Sequence, residues 1–335
     1  MVMYYLRRLL YMVFVVIGVS MLMFALVRVL PGDPIGLALG PNATKEDMEK
    51  MRHEMALDRP LHVQYAMYVR EIFWNGKLGM SLIEKRDVME VIKEKFPATL
   101  ELVLVAMLLA LIFSIPLGVT AAMNRGGGWD HFNRLLALFG VSFPHFWSGL
   151  MFQLIFGSLL ALTPLTGRIG GSSPEDITGF FLLDSLLTLN GAAFKDSLVH
   201  AIGPAVILSL GPLANITRLI RANMIDESTK DYILVNKATG MNELIVRYKY
   251  MLRNAFSSSL TTIGFLIPLM LGSAFVVEKV FAWPGMARFG ADAIIANDFN
   301  GVVGVTLVIC LAFVAVNLAI DILYEVLDPR IRVKR

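Results

Sequence analysis

The sequence predicts an all-α polytopic membrane protein with six transmembrane helices and a small extracytoplasmic insertion after the first helix. The mean hydropathy of the 335 residues is +0.65. Only 17% of the residues are charged, whereas about a quarter is usual in soluble domains. A helix that crosses ~30 Å of hydrocarbon needs about 20 apolar residues. Six segments without Asp, Glu, Lys or Arg meet this requirement: Leu9–Val27, Leu102–Met123, Leu135–Gly167, Leu198–Thr217, Asn254–Val277 and Phe299–Ile320.

The first apolar segment, within residues 1–30, is interpreted as a retained transmembrane helix rather than a signal peptide. Its apolar core is longer than that of a typical signal, and no small-residue cleavage pattern precedes Pro31. We expect Arg28 to extend its charged end toward the outer surface.

Residues 31–98 are predicted to form a folded extracytoplasmic segment, followed by a transmembrane core over 99–328 that holds the other five helices. A first helix is expected after Asn42 or Thr44, either of which can cap it. A second is expected in "LHVQYAMYVREIFW", where apolar residues recur at helical spacing.

Two apolar stretches of the core do not have the length of a single membrane crossing. The third span is longer than one crossing, so its end near Thr163 and Pro164 is expected to leave the membrane. The apolar stretch Ile177–Leu189 is short and interrupted by Asp184, which favours a surface or interfacial helix.

The distribution of basic residues predicts that both termini are cytoplasmic. With six spans and the N-terminus inside, the inner segments hold fifteen Lys and Arg residues and the short outer loops hold four. Basic residues in short loops favour the cytoplasmic side, whereas long segments such as 31–98 translocate largely regardless of charge. We therefore expect a multi-pass protein of a cell membrane.

The segment 222–256 is unusually charged for so apolar a chain, and it is predicted to face the cytoplasm. Gly240 separates two helical stretches, as a C-terminal stop signal does, and Glu243 and Arg247 have the favourable i, i+4 spacing. One predicted face carries Met241, Leu244, Ile245, Tyr248, Met251, Leu252 and Ala255. The segment is either a solvated loop or a contact surface for a partner, because short helices are marginal in water unless their apolar face is packed.

No catalytic residue, metal site or cofactor is predicted. The five histidines form no HExxH-like pair, and Cys310 lies in an apolar run where it packs as a small apolar side chain. The chain has no GxxxxGK[ST] phosphate loop. Its net charge of +3 is too small and dispersed to indicate nucleic acid. Prolines within the spans predict kinks at positions 116, 144, 204, 212 and 268.

Two other functional classes are a secondary transporter and a membrane-embedded hydrolase. Asp321 and Glu325 are one helical turn apart and could relay protons in a secondary transporter, although Arg330 and Arg332 nearby favour a structural salt bridge. A membrane-embedded hydrolase lacks support, since no G-x-S-x-G motif is present.

Several strings resemble those of the membrane subunits of ABC importers, in the form found in dipeptide and oligopeptide permeases. They include the opening "YYLRRLLYMVFVVIGVSMLMFALVRVLPGDP", followed by "FPATLEL", "SFPHFWSGL" and "LTPLTGR". The most specific are "VVEKVFAWPGMARFGADAIIANDF" and "NLAIDILYEVLDPRIR". The resemblance runs nearly end to end and implies the type I importer permease fold.

The resemblance implies that the glycine loop is an EAA-type coupling helix, which docks on an ATPase subunit and transmits its movement. The matching positions are Tyr232, Ile233, Ala238, Gly240, Arg253, Asn254 and Ala255, and the predicted coupling loop also includes Met241, Asn242 and Glu243. A second loop is expected to dock the binding protein or to re-enter toward the ligand, with Phe281, Trp283, Pro284 and Gly285.

The implied partners are a homologous second permease, two ATPase subunits, an extracytoplasmic solute-binding protein and the lipid bilayer. The chain itself would be a permease rather than an enzyme. The implied substrate is a peptide, with dipeptides favoured by the string from 162 to 204. Longer peptides, nickel chelates, glutathione and oligosaccharides stay open.

Overall fold

The computed structural model describes residues 2–29, 44–54, 58–171 and 173–327, and it confirms the all-α class. In chain order the helices are α1 (Val2–Val29), α2 (Lys45–Glu54), α3 (Leu61–Arg70), α4 (Val88–Met123), α5 (Gly128–Ser142), α6 (His145–Leu159), α7 (Phe181–Leu187), α8 (Gly191–Ser228), α9 (Asp231–Ala238), α10 (Glu243–Val280), α11 (Met286–Ile295) and α12 (Phe299–Leu327). Three stretches are π-helical: Glu71–Asn75 after α3, Gln153–Leu159 in α6 and Val246–Met251 in α10.

Four helices of the described part are long and apolar enough to cross a membrane: α4, α8, α10 and the Phe299–Ile320 part of α12. The pair α5 and α6 makes a fifth if the two are counted as one bent span. In α1 the apolar stretch identified is shorter, Val13–Ala25. The number of six spans therefore stays a prediction.

The third predicted span, Leu135–Gly167, falls on two helices, α5 and α6, which together are long and apolar enough to form one bent span. α5 ends at Ser142 and α6 leaves it at an angle of 104°. Phe143 between them is extended, with φ −89° and ψ 131°. Pro144 causes the break, because its ring disfavours the helical conformation of the preceding residue and it has no N–H to donate. At Pro144 the sequence predicts a kink within one helix, whereas the structure has two separate helices.

The predicted boundary at residue 98 does not coincide with a helix end. α4 begins at Val88, and Asp87 accepts a hydrogen bond from the Met89 amide at 2.8 Å just before it. The helix has these additional N-terminal turns because Val91 and Ile92 are buried and hold them by packing. The helices expected near residues 45 and 61 are confirmed as α2 and α3, and the stretch Ile177–Leu189 contains the short helix α7.

Some predictions fall on residues outside the described part of the chain. These are the cap at Asn42 and the side-chain roles of Arg28, Asp321 and Glu325.

Contacts divide the chain into two compact units, of which the first comprises residues 1–98 and 284–314. Within it, the Ser20 and Tyr65 hydroxyls are 2.8 Å apart and join α1 to α3. The buried Asp298 carboxylate accepts hydrogen bonds from the Ser81 hydroxyl and the Leu82 amide. The apolar core of this unit contains Leu78, Val88, Val91, Ile92, Met286, Phe289, Val303, Val305 and Leu307.

The second unit comprises residues 99–283 and 315–335, and α8 lies at its centre in contact with α5, α6, α7 and α10. Small residues allow close approach of the neighbouring helices. A Cβ at Gly140 of α5 would lie 3.1 Å from the Leu210 carbonyl oxygen of α8, and one at Gly118 of α4 would lie 2.8 Å from the Ile220 side chain. An added side chain would therefore force a shift at Gly118 and would be tightly packed at Gly140.

Candidate functional site

The charged segment folds as the predicted helix, glycine turn and second helix. α9 spans Asp231–Ala238 and α10 begins at Glu243. The turn is a Schellman motif, since the Gly240 amide donates to the Lys237 carbonyl at 3.0 Å and the Met241 amide donates to the Asn236 carbonyl at 3.2 Å. The chain from Asp226 to Ser228 belongs to the end of α8, so the first helix of the segment begins only at Asp231.

Gly240 has φ +73°, the left-handed conformation that ends α9. A Cβ at this position would meet nothing within 4 Å. The requirement for glycine is therefore conformational, because residues with a Cβ are strained in this region of φ. The exposed tip of the segment is open to any partner that approaches it.

Tyr232 and Asn254, which begin and end the predicted site, are in contact. The Asn254 amide donates a hydrogen bond of 2.8 Å to the Tyr232 hydroxyl, and that hydroxyl donates to the Glu227 carboxylate on α8. Burial, followed by the hydrogen bond to Glu227, raises the pKa of the Tyr232 hydroxyl. The hydroxyl therefore stays protonated at neutral pH and joins α8, α9 and α10.

The apolar residues of the segment divide into a buried set and an exposed set. Ile233, Val246, Met251 and Ala255 are buried and anchor the segment to the protein. The exposed patch is formed by side chains that are 45–60% exposed, Leu234, Val235, Leu244, Ile245 and Tyr248. The single apolar face predicted from Met241 to Ala255 was wrong, because the π-helical turn Val246–Met251 changes the angular spacing and turns Val246 inward.

Charged residues surround the exposed patch. Arg247 and Glu243 form the predicted i, i+4 ion pair at 2.7 Å, and the Asn242 side chain caps α10 by accepting from the Leu244 amide at 2.9 Å. Lys237, Lys249 and Arg253 are exposed. With Glu243 and Arg247 paired to each other, the other exposed charges of residues 231–256 are Lys237, Lys249 and Arg253 against Asp231, so basic residues are in excess.

The second predicted site is mostly buried. Phe281 and Trp283 are 2% and 1% exposed, Gly285 is buried, and Pro284 is exposed. The Phe281 ring packs 6.3 Å from that of Phe152, and its carbonyl accepts from the Gly167 amide at 2.9 Å. The side chains of Phe281 and Trp283 are therefore packing residues of this loop, and a docking role for them is not supported.

A buried ion pair that the sequence did not indicate fixes the loop after α6. The Arg168 guanidinium donates to the Glu101 carboxylate through Nε at 3.0 Å and through Nη2, and to the Gly179 carbonyl at 2.7 Å. It also lies 3.8 Å from the centre of the Phe181 ring. The side chains of Arg168 and Glu101 are only 7% and 4% exposed, so the pair is shielded from solvent.

Among the predicted site residues, the structure thus brings Tyr232 and Asn254 together and places Ala238 and Gly240 at the exposed tip. Sequence analysis missed Glu227 and a second buried ion pair, Asp130 with Arg221. An available signal was Arg221 itself, a second arginine one helical turn beyond the apolar span that ends at Thr217.

Comparison with known proteins agrees with this architecture. Residues 114–333 match the family model described as the binding-protein-dependent transport system inner membrane component. Residues 1–103 match the model of the N-terminal part of such membrane components.

Individual relatives match along nearly the whole chain. The probable D,D-dipeptide transport system permease protein DdpB of Escherichia coli K12 is 40% identical, over 96% of this chain and 94% of its own. The di/tripeptide transport system permease protein DppB of Pseudomonas aeruginosa is 38% identical over 95% of each chain. The dipeptide transport system permease protein DppB of Escherichia coli K12 is 36% identical over the full length of both. The chain therefore belongs to the family of inner membrane components of binding-protein-dependent transport systems.

Proposed function

We propose that this chain is the permease subunit of an ABC importer that takes up dipeptides or short oligopeptides. The family and the spanning helices support a membrane subunit of a transport system. The relatives at 36–40% identity are dipeptide or di/tripeptide transport permeases, which supports a dipeptide substrate. ATP hydrolysis is assigned to partner subunits, because this chain has no phosphate loop.

The topology has six spans and cytoplasmic termini. α1 is the first span, since its 28 residues extend about 42 Å at 1.5 Å per residue. The bent pair α5 and α6 counts as the third. In this arrangement the segment 222–256 is cytoplasmic, in agreement with the excess of basic residues in the inner segments.

The observation that carries the coupling assignment is the exposed apolar patch on the helix–glycine–helix segment. We expect a partner to cover these side chains, because large apolar side chains exposed together with charged residues are typical of an interaction site. The helix ends of the segment fit a groove on an ATPase whose floor is apolar. The basic residues Lys237, Lys249 and Arg253 fit acidic groups at the rim of that groove. The buried anchors Ile233, Val246 and Met251 let the segment transmit a displacement without unfolding.

The rest of the complex follows the family pattern. A homologous second permease lines the translocation pathway together with this chain, and two ATPases bind the cytoplasmic segments. A solute-binding protein delivers the peptide to the outer segment 31–98 and to the exposed Pro284. ATP binding closes the ATPase pair, and the coupling segments then move the spans toward an outward-facing state that receives the ligand.

Reconstitution tests this function directly. The complete complex in proteoliposomes, supplied with the solute-binding protein, should import a labelled dipeptide only with ATP, and an uncoupler should not reduce import. The purified chain alone should hydrolyse no ATP. Import by this chain alone, driven by a pH gradient, would support the proton-coupled alternative instead. An excess of unlabelled tripeptide or glutathione in the same assay defines the substrate range.

A further inference from the structure

A buried carboxylate joins α5 to the inner end of α8. Asp130 is 0% exposed and accepts hydrogen bonds from both Nε and Nη2 of Arg221, at 2.6 and 2.8 Å. The Gly126 amide at 3.0 Å and the Arg134 guanidinium at 3.4 Å complete its shell. A bidentate arginine–carboxylate contact fixes both distance and orientation, which a single hydrogen bond does not.

Arg221 lies close to the anchor points of the proposed coupling segment. Asn223, two residues further along α8, donates to the Ser259 hydroxyl of α10 at 2.7 Å. Glu227 lies six residues from Arg221, about 9 Å along the helix axis, and binds Tyr232 of α9. Side-chain contacts over a short stretch of α8 thus join it to α5, α10 and α9.

Little else in the contact between α5 and α8 fixes their register. Gly140 packs on the Leu210 carbonyl and on Ala214, which are non-directional contacts. The buried atoms Asn133 Oδ1 on α5 and Thr217 Oγ1 on α8 have no hydrogen-bond partner among the described residues. The ion pair is therefore the directional contact between these helices.

We propose that Asp130 is a positioning residue that makes α5 move as one body with α8, α9 and α10. The inference rests on the proposed coupling role of the segment 222–256 and adds the path by which its movement reaches the bent pair. Displacement of α9 passes through Glu227 to α8, through Arg221 and Asp130 to α5, and across the bend at Pro144 to α6. The Gln153 amide then contacts the Leu165 and Val280 carbonyls at 2.6 and 3.0 Å, near the loop after α6.

The decisive variant replaces both partners, Asp130→Leu with Arg221→Met. Apolar replacement of a whole buried ion pair often preserves stability, but apolar contacts are non-directional and let the helices slide. In the complete complex we expect normal co-purification of the ATPases. Stimulation of ATPase activity by the loaded binding protein, and the number of dipeptides imported per ATP, should each fall about tenfold, within the range of 5 to 150 usual for coupling between sites.

Two further variants complete the set. Arg221→Lys keeps the charge but loses the two-point contact, so it should lower the import per ATP even if the double variant fails to assemble. Arg218→Gln removes an exposed arginine of α8 that bonds Asn215 within the same helix and does not contact Asp130, and it should leave the ratio unchanged. Wild-type import per ATP in the double variant, or in Arg221→Lys if the double variant does not assemble, would overturn the proposal.

A distance measurement separates this inference from the transport function. Spin labels are placed on the exposed positions Thr239 of α9 and Leu138 of α5 after Cys310→Ser. With the ion pair intact, we expect one narrow distance distribution with and without a non-hydrolysable ATP analogue. With Asp130→Leu and Arg221→Met the distribution should broaden. An unchanged distribution in the double variant contradicts the inference whether or not the complex imports dipeptides.

Discussion

The Asn254 amide donates to the Tyr232 hydroxyl across 22 positions of sequence and thereby closes the helix–glycine–helix segment on itself. Since Tyr232 also binds Glu227, the segment is fastened at the end of α8 as well. This contact makes the loop a defined structural element rather than a solvated connection.

Removing the Tyr232 hydroxyl should loosen the segment. Tyr232→Phe leaves Glu227 and Asn254 without their shared partner and should lower thermal stability by about 1 kcal/mol, the usual net value of a hydrogen bond. Tyr248→Phe, on the same segment, is the matched control. An equal effect of both variants on the melting temperature in detergent would contradict the assigned role.

The same hydroxyl predicts a dependence of stability on alkaline pH. The pKa of Tyr232 is raised in the folded protein above its ordinary value of 10.0, by burial and then by Glu227. Its contribution to stability is therefore fully present below pH 10 and is lost as the pH rises through the folded pKa. Melting curves between pH 9 and roughly pH 12 should show a smaller alkaline loss in Tyr232→Phe than in the wild type.

Two substitutions at Gly240 distinguish the effect of backbone strain from the effect of charge at the tip of the coupling segment. Gly240→Asn and Gly240→Asp introduce side chains of nearly equal size, at a strain of roughly 1 kcal/mol in the left-handed region. We expect the aspartate variant to reach the membrane at normal levels but to lose ATPase binding and dipeptide uptake, because its charge faces the acidic rim proposed for the groove.

The asparagine variant should keep most ATPase binding and uptake. Affinity of the reconstituted permease for the purified ATPase, together with labelled dipeptide uptake, checks both variants. Uptake at the wild-type rate by Gly240→Asp would show that this turn is not the coupling site.

The ion pair between Glu101 and Arg168 should be important for stability. Glu101→Gln leaves the buried guanidinium without its counter-charge, which typically costs about 3–5 kcal/mol. Arg86→Gln is the control, since its pair with Glu94 is solvent-exposed and such pairs contribute about 0–1 kcal/mol. The double change Glu101→Leu with Arg168→Met should recover much of the loss. Thermal unfolding in detergent measures all three, and equal effects of the two single changes would contradict the expectation.

Single cysteines test the proposed topology. In a Cys310→Ser background, Ser173→Cys and Thr239→Cys place thiols at two exposed positions. A membrane-impermeant thiol reagent added to intact cells should label position 173 and leave position 239 unmodified until the cells are permeabilised. The reverse pattern would place the coupling segment outside and exclude its contact with a cytoplasmic ATPase.

Features governed by local chemistry could be predicted from the sequence. The left-handed end of α9 follows from Gly240, the pair of Glu243 with Arg247 follows from their spacing, and α8 follows from apolar length. In each case the residues that cause the feature lie within a few positions of one another, so the sequence pattern contains the cause.

Features that depend on tertiary contacts could not be predicted from the sequence. The sequence around Val88 gives no sign that the side chains of Val88, Val91 and Ile92 are buried. The turns of α4 that precede residue 98 were therefore not predicted. The contact of Asp130 with Arg221 spans 91 positions, and the burial of Trp283 depends on packing within its unit. Pro144 predicts a kink from the sequence, but the angle of 104° between α5 and α6 depends on where α6 packs.

The π-helical turn at the start of α10 has a consequence for how this protein tolerates insertion and deletion. Such a turn accommodates one additional residue in a helix, and one residue corresponds to about 100° of rotation at 3.6 residues per turn. Deleting one residue from Val246–Met251 would restore ordinary helical pairing and rotate everything before it, including Leu244 and Ile245, by that angle relative to Leu252–Val280. The transmembrane part of α10 would keep its packing while the exposed patch turned away from its present direction, so chain length in this one turn sets the direction in which the patch faces.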